Sequence, residues 1–445
     1  MIKIPYKTTL SFFLISLMML FLYTCARDSD RGSRVPKVTK TDKSSIVIPE
    51  VNPIDPIDSS SLINFYFENS ASMKGYLEGK NFKQTMHEII DESDPDLIPY
   101  FVNTREFRTS DLLSKIDNKN ISTASIGGSD HEFIFENAIN NATSNNLSIV
   151  VTDGIYSTPN GDVDIVEIEI KKSFVKALEV NAIETVVIKM SSNFEGRYYR
   201  ESDCDGPNSL IIDQERPYYI ILFGNKETID NALQKYQIEE LPGFKKQARF
   251  FVSNDFELDY TILTKGEEIN GKFRPTNNGG NELIKEIGEA ERKKTRGGVL
   301  SLQFAVAVDF TNVSLPKTYL ENPENYKKIG GTGYVIKEIK LIEDLSPESQ
   351  TYKFIQNKKL QLGIKLSHII IVNAELNATG ELIIQLDNNL PSWITTTSQP
   401  EDCIIEDNTE KTFAFKNLMT GISKAYIKVD KKSYYKKFNF IINHN

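Results

Sequence analysis

Two short segments combine residue types that could hold a hard metal ion. The first is Glu68-x-Ser70-x-Ser72 and the second contains Asp153, and each directly follows an apolar run. Mg²⁺ takes about six oxygen ligands and keeps some of its waters, so carboxylates and hydroxyls from separate loops suit it. Alternate side chains of the first segment can project toward one point, which Asp153 could also reach. These residues predict a site for Mg²⁺ or Mn²⁺.

A third segment offers one more hydroxyl. The loop Gly127-Gly128-Ser129-Asp130 leads straight into a helix-like stretch, and we expect Ser129 to face the same point. The stretch from Thr123 to Ser125 carries alternative hydroxyls. The assignment of this ligand to Ser129 therefore depends on the loop's conformation.

The elements that must position these groups alternate between strand and helix from residue 61 to 236. Strand-like runs cover residues 63–67, 98–102, 147–152, 185–190 and 218–223, and helix-like stretches cover 82–92, 132–140, 166–180 and 226–236. This alternation predicts an α/β fold with a doubly wound, mostly parallel sheet and helices on both faces. Ligands of such sheets bind at the carboxyl ends of the strands, where both opening segments lie.

The periodicity changes after about residue 240. From Leu300 to Phe310 the apolar side chains occupy even positions, as in a half-buried strand of an antiparallel sheet. Residues 377–380, Asn-Ala-Thr-Gly, predict a hairpin turn between two further strands. One helix is expected near residues 417–426. We therefore expect residues 241–445 to form a mainly antiparallel, β-sandwich-like region.

The first half of the chain resembles a von Willebrand factor A-type domain, a Rossmann-like α/β fold. That family carries Asp-x-Ser-x-Ser after its first strand, a Thr in a middle loop, and an Asp, commonly in Thr-Asp-Gly, after its central strand. The matching positions here are Glu68, Ser70, Ser72, Ser129 and Asp153. The resemblance covers roughly residues 61–236, within an expected domain of 61–240. It implies a metal-ion-dependent adhesion site, where Mg²⁺ leaves one coordination position for an acidic group of a protein partner.

Two positions depart from the family pattern. Glu68 stands where the family has Asp, which adds a methylene, and Ser129 stands where it has Thr, which removes a methyl group. The alternative interpretation is therefore a domain that has kept the architecture without the ion. Such a chain would be a structural or assembly component of the cell envelope, with the β region as one possible partner-binding part.

The N-terminal segment predicts export and lipid anchoring. Residues 1–25 contain Lys3 and Lys7, then an apolar stretch too short for an ordinary membrane span, and end at Cys25. This layout resembles the lipobox of bacterial lipoproteins, which implies acylation of Cys25 by fatty acids such as palmitate. Residues 26–60, rich in Pro, Ser and Asp, predict a flexible tether. The expected location is the bacterial cell envelope, on the periplasmic face or cell surface of the outer membrane.

Composition narrows the classes of ligand. The formal charge of −9 and the lack of a basic block argue against nucleic acid as a partner. The four histidines are scattered without ligand spacing, so a zinc site is not expected. Cys204 and Cys403 could pair in an oxidising compartment, but their separation in sequence leaves the pairing open.

A hydrolase is the third alternative. Ser70 or Ser72 on a turn after a strand could be a nucleophile, yet no Gly-x-Ser-x-Gly sequence surrounds either residue. A metal-assisted hydrolase would usually need more carboxylates or histidines than this edge supplies. The chain is therefore not expected to be an enzyme. The insertion from Ser191 to Asp213 lies at the same predicted edge and could form a lid or specificity loop.

Overall fold

The computed structural model describes residues 61–121, 129–142, 145–157, 162–253, 257–276, 282–294, 297–298, 300–405 and 408–444. The signal segment with Cys25, the tether 26–60 and the alternative hydroxyls from Thr123 to Ser125 lie outside these residues. None of the helices within the described ranges is both long and apolar enough to cross a membrane.

A seven-stranded mixed sheet organises the first half of the chain. Its strands are β1 (Ile63–Glu68), β2 (Leu97–Val102), β3 (Glu106–Arg108), β4 (Leu147–Thr152), β5 (Glu184–Tyr199), β6 (Ser209–Gly224) and β7 (Phe244–Phe250), in the order β3-β2-β1-β4-β6-β5-β7. Strand β1 runs parallel to both β2 and β4. The other four neighbouring pairs are antiparallel.

Helices cover both faces of this sheet. They are α1 (Lys80–Ser93), α2 (Leu112–Asp117), α3 (His131–Asn141), α4 (Val163–Leu178) and α5 (Lys226–Lys235), with 3₁₀ turns at Ser72–Glu78 and Ile238–Glu240. Phe65 and Phe67 pack into the core that contains α1, α2 and α5. Tyr66, which points the other way, packs with α3 and α4. This alternation along β1 explains why the strand is buried throughout, and it confirms the predicted α/β class.

The expectation of a mostly parallel sheet was wrong on one side of β4. Strands β5 and β6 form a single long hairpin, paired from Glu184 opposite Gly224 to Tyr199 opposite Ser209. Parallel neighbours need a crossover connection of a dozen or more residues, usually a helix, and none separates these two strands. The predicted insertion from Ser191 to Asp213 is therefore mostly strand, and only residues 200–208 form its connection.

A second sheet of eight mainly antiparallel strands occupies the C-terminal half. Its members are β8 (Tyr260–Ile262), β9 (Lys272–Pro275), β10 (Glu286–Glu291), β11 (Lys293–Lys294), β12 (Leu300–Val308), β13 (Tyr326–Leu341), β14 (His368–Asp387) and β17 (Tyr434–His444). A sandwich-like pair of sheets was expected, whereas these strands belong to one sheet. One face carries a large apolar core, and a helix at Gln350–Leu362 packs on the other.

The predicted hairpin turn at residues 377–380 was also wrong. Strand β14 continues from His368 to Asp387 without reversing. Gly380 has φ of +81°, and the pairing of β13 with β14 shifts register near Gly330 and Thr332. The glycines therefore accommodate a local irregularity in two long strands rather than a chain reversal.

Helices in the C-terminal half are more numerous than the one expected. They are α6 (Lys317–Leu320), α7 (Gln350–Leu362), α8 (Ser392–Thr397) and α9 (Phe415–Asp430), with a 3₁₀ turn at Pro323–Asn325 and a short parallel pair β15 (Ser398–Gln399) and β16 (Thr412–Phe413). Helix α9 extends the predicted stretch 417–426 at both ends. Helix α7 escaped prediction because few of its side chains are buried, among them only Ile355 of its large apolar residues.

Elements after residue 240 contribute to the first sheet and its core. Strand β7 joins the first sheet, and α9 packs against α4 in the core of that sheet. The approach is close at Gly421, where a Cβ would lie 2.9 Å from the carbonyl oxygen of Glu167 and 3.0 Å from Cβ of Ile170. The chain thus contributes α9 to the core of the first sheet after it has contributed strands to the second sheet.

A substitution at Gly421 tests the packing of α9 against α4. We expect Gly421→Val to lower the free energy of unfolding by about 2 kcal/mol, since the added methyl groups overpack the contact with α4. Lys428→Val on the exposed side of the same helix is the control, because it introduces the same residue type without the contact. Urea denaturation measures both. Equal effects of the two substitutions would argue against the observed packing of α9.

Candidate functional site

Strands β1 and β4 end side by side at one edge of the first sheet. Their parallel register places Phe67 opposite Val151, so Glu68 and Thr152 are neighbours at the last position of each strand. The next residue on β4, Asp153, is 2% exposed, and Glu68 is 1% exposed. The sheet therefore brings two carboxyl groups to one buried place, as the sequence predicted.

Local structure aims the remaining polar groups at this edge. Ser72 begins a 3₁₀ turn, and Ser129 precedes Asp130, whose side chain caps the amide of Phe133 at the start of α3. Gly154 has φ of +70°, and a Cβ at this position would lie 2.7 Å from the Tyr219 ring. Only glycine suits this turn, which carries the chain away directly after Asp153.

Glu68 accepts hydrogen bonds from two hydroxyl groups. Ser129 Oγ donates to Glu68 Oε1 at 2.5 Å, and Thr152 Oγ1 donates to Glu68 Oε2 at 2.5 Å. Thr152 Oγ1 also accepts the backbone N–H of Gly154 at 2.9 Å. The longer side chain of Glu68 thus reaches groups from both the neighbouring strand and the loop before α3.

Asp153 is held by a second set of hydrogen bonds. Ser72 Oγ donates to Asp153 Oδ2 at 2.5 Å, and the N–H of Ile155 donates to Oδ1 at 3.0 Å. Ser70 Oγ lies 3.0 Å from Ser72 Oγ. The hydroxyl of Ser70 also bonds to the carboxyl group of Glu68. The hydroxyl oxygens of both serines keep lone pairs for another ligand.

These groups face a cavity of about 370 Å³. Its lining includes four of the five predicted site residues, namely Glu68, Ser70, Ser72 and Ser129. Asp153 does not line it and contacts it through Ser72. The connection of the long hairpin, including Arg200 and Glu201, lines it as well, where the sequence predicted a lid or specificity loop.

The two carboxyl groups are poorly compensated in charge. Burial raises the pKa of Glu68 above its usual value. Burial, and after it the charge of Glu68, raise the pKa of Asp153 to about 7. Among the described residues, neither carboxyl group forms an ion pair with lysine or arginine. Within the described part of the chain, the only basic side chain within ion-pair distance of either carboxyl group is His131, whose Nε2 lies 3.8 Å from Glu68 Oε2.

His131 and Thr152 belong to the site although sequence reasoning gave neither a role there. Burial lowers the pKa of His131, so its ring is neutral near pH 7. Its Nε2 lies 3.3 Å from Thr152 Oγ1 and is the donor, since that oxygen already gives its proton to Glu68. The available signals were the position of His131 two residues after Ser129 and of Thr152 directly before Asp153.

The donor set fits a hard divalent cation. Two carboxyl groups and three serine hydroxyls supply oxygen ligands only, which is the set that Mg²⁺ and Mn²⁺ prefer. No three acidic, histidine or cysteine side chains cluster within the described ranges to hold an ion by themselves. The hydroxyls would therefore have to complete the coordination, as the family resemblance implies.

Comparison of the chain with protein-family models, with curated proteins and with solved structures found no match.

The buried charge predicts how stability depends on pH in protein stripped of metal with EDTA. The pKa of folded Asp153, about 7, exceeds the usual 3.8, so the folded state holds the proton more tightly. The contribution of Asp153 to the free energy of unfolding is then fully present below about pH 4 and is lost as the pH rises toward 7. We expect the free energy of unfolding to fall by roughly 2–3 kcal/mol between about pH 5 and pH 8, because each pKa unit corresponds to about 1.4 kcal/mol.

Asp153→Asn should remove most of this fall, as urea denaturation across the pH range would show. Asp91→Asn is the control, since the Asp91 side chain is 69% exposed. If the free energy of unfolding of Asp153→Asn depends on pH as it does in the parent protein, the buried charge of Asp153 is not what destabilises the fold at higher pH.

Proposed function

We propose that this chain is an exported bacterial lipoprotein whose α/β domain is of the von Willebrand factor A type. In this proposal the domain binds an acidic group of a protein partner through Mg²⁺ or Mn²⁺. The ion is held by the side chains of Glu68, Ser70, Ser72, Ser129 and Asp153. The observation that carries the proposal is that Glu68, Ser70, Ser72 and Ser129 line one cavity while Asp153 lies behind it, bonded to Ser72. The two carboxyl groups are buried there, and no lysine or arginine among the described residues pairs with either.

Charge supports the ion. Two carboxyl groups buried together oppose each other's ionisation, and each is costly to desolvate when charged. A divalent cation would offset both charges at once. When bound, it would supply a positive centre that accepts an oxygen of an acidic ligand. The residues of the chain hold the ion and orient the serine hydroxyls toward the cavity.

The architecture supports the family assignment in the half of the sheet that carries the motif. There β1, β2 and β4 run parallel, and helices pack on both faces. The departure lies on the far side of β4, where β6, β5 and β7 are joined by antiparallel pairing. The motif residues all come from the parallel half or from the loop before α3, so the departure leaves their placement intact.

The hydrogen bonds support binding rather than hydrolysis. Within the described residues, Ser70 bonds to Ser72 and Ser72 donates to Asp153, whereas the nearby His131 bonds to Thr152. A serine nucleophile is usually activated by a base that takes its proton and is itself oriented by a third group. Here the histidine supports Glu68 through Thr152 instead.

A disulfide supports placement outside the cytoplasm. Cys204 and Cys403, whose pairing the sequence left open, are bonded in the structure, with their Cα atoms 5.5 Å apart. Disulfides persist in oxidising compartments such as the periplasm and the cell surface. This agrees with the export signal and with Cys25 as the proposed lipid-bearing residue, which would anchor the chain in the outer membrane.

Metal binding is tested by thermal stability. We expect Mg²⁺ or Mn²⁺ at about a hundredfold its dissociation constant to stabilise the fold by about 2.7 kcal/mol, seen as a rise of a few degrees in Tm. Ser72→Ala and Asp153→Asn should abolish the rise. Ser433→Ala, on an exposed residue far along the chain, should keep it. A parent protein whose Tm ignores both ions would favour the metal-free, structural alternative.

Recognition of an acidic ligand is tested by water-proton relaxation with Mn²⁺. Bound Mn²⁺ that retains exchangeable waters should enhance the relaxation rate. Acetyl-Gly-Asp-Gly-amide should lower this enhancement, because its carboxylate replaces a water on the ion. Acetyl-Gly-Asn-Gly-amide should leave it unchanged. Identical responses to the two peptides would argue against a carboxylate as the recognised group.

A further inference from the structure

A guanidinium group also lines the cavity at the proposed ion site. Arg200 follows the last residue of β5, in the connection of the long hairpin, and lines the cavity beside Tyr199 and Asn208. It is the only lysine or arginine among the lining residues of this cavity in the described part of the chain. The positive charge of Arg200 at this place attracts or repels any charged ligand that enters the cavity.

The contacts of Arg200 leave its charge unmatched. Its Nη1 donates to the carbonyl oxygen of Pro207 at 3.3 Å, and its Nη2 donates to that of Cys403 at 2.7 Å. Its Nε is buried and has no hydrogen-bond partner among the described residues. Within the same residues no aspartate or glutamate forms an ion pair with it, although Glu201 is adjacent in sequence. The two carbonyls fix the side chain without neutralising it.

The connection that carries Arg200 is tied down at several points. The Cys204–Cys403 disulfide joins it to the segment before β16. The carboxylate of Asp402 accepts the backbone N–H groups of Glu201 at 3.0 Å and Ser202 at 2.9 Å. The N–H of Arg200 donates to the carbonyl oxygen of Asn208 at 2.8 Å and closes the connection. A side chain fixed in this way loses little further freedom when it binds a ligand.

The balance of charge selects the ligand. Glu68, Asp153 and Glu201 give the surroundings of the cavity a negative character, so an anion alone would be repelled. With a divalent cation in place, that repulsion is offset and Arg200 adds a second positive group. The planar fork of a guanidinium matches a carboxylate through paired hydrogen bonds.

We propose that Arg200 binds the carboxylate of an aspartate or glutamate side chain of the partner, next to the ion, and that the disulfide holds Arg200 in place for this contact. This inference rests on the proposed function, since it requires the ion. The hairpin connection then makes the site selective for an acidic ligand.

The test uses the full chain loaded with Mn²⁺, with the affinity of acetyl-Gly-Asp-Gly-amide measured by water-proton relaxation. We expect Arg200→Gln to weaken peptide binding about tenfold or more, as loss of a charge-assisted hydrogen bond would. Its affinity for Mn²⁺ should stay within a factor of about two. Arg200→Lys should bind the peptide with an affinity between those of the parent protein and Arg200→Gln, since lysine keeps the charge without the planar fork. Arg197→Gln is the matched control, because Arg197 is an exposed arginine on the same hairpin.

A second arm removes the disulfide with the double variant Cys204→Ser, Cys403→Ser. We expect weaker peptide binding with Mn²⁺ affinity retained, because the connection loses its tie to residue 403 while the ligands of the ion stay on β1, β4 and the loop before α3. Equal peptide affinity in the parent protein and in Arg200→Gln would overturn the inference while leaving the ion site standing. Loss of Mn²⁺ binding in Arg200→Gln would overturn it too, by showing a structural role. Failure of the parent protein to bind Mn²⁺ would instead refute the proposed function.

Discussion

The burial of two carboxyl groups at adjacent strand ends is the constraint on which the rest of the site depends. Parallel pairing of β1 with β4 puts Glu68 and Asp153 at the same edge, where both are almost fully shielded from water. Buried carboxylates need compensation, and here hydroxyl and backbone donors provide part of it. Hydroxyl donors leave the charge itself in place. The unmatched charge is what makes a cation the natural complement of this edge.

The two halves of the first sheet contribute differently to the cavity. The parallel half supplies the acidic and hydroxyl groups, whereas the antiparallel hairpin β5–β6 extends past the sheet edge and supplies Arg200 and Glu201. The C-terminal half supports the hairpin from outside, through Asp402, the disulfide and the buried Ile405. The return of the chain to its first sheet, with α9 packed on α4, places these supports within reach. The cavity and its framework are thereby built from both halves of the described chain.

Side-chain periodicity predicted those strands and helices of the first half whose pattern is set by neighbouring residues in the sequence. The apolar runs of β1, β2 and β4 and the helical stripes of α1, α3, α4 and α5 follow from side-chain spacing, and their boundaries match within a few residues. The approach of the segment with Glu68, Ser70 and Ser72 to Asp153 followed from the rule that parallel strands end at a common edge. Ser129 was assigned from its loop before a helix and from the family resemblance. Their role as metal ligands stays a prediction.

Features set by distant contacts could not be predicted in this way. The direction of β6 depends on the absence of a crossover, and the continuity of β14 depends on β13, which pairs along both its halves. The disulfide requires the hairpin connection and residue 403 to meet across about two hundred residues of chain. His131 contributes through Thr152, a neighbour only in the folded sheet. None of these relations leaves a pattern within a short window of sequence.

The most direct test of the proposed ion site is anomalous diffraction from crystals of the full chain soaked in Mn²⁺. A single strong peak is expected at the edge of the first sheet, bounded by the side chains of Glu68, Ser70, Ser72 and Ser129, and no such peak is expected in crystals of Asp153→Asn. An anomalous map with no peak at this edge, at a Mn²⁺ concentration that fills other sites in the crystal, would contradict the binding of a divalent cation there.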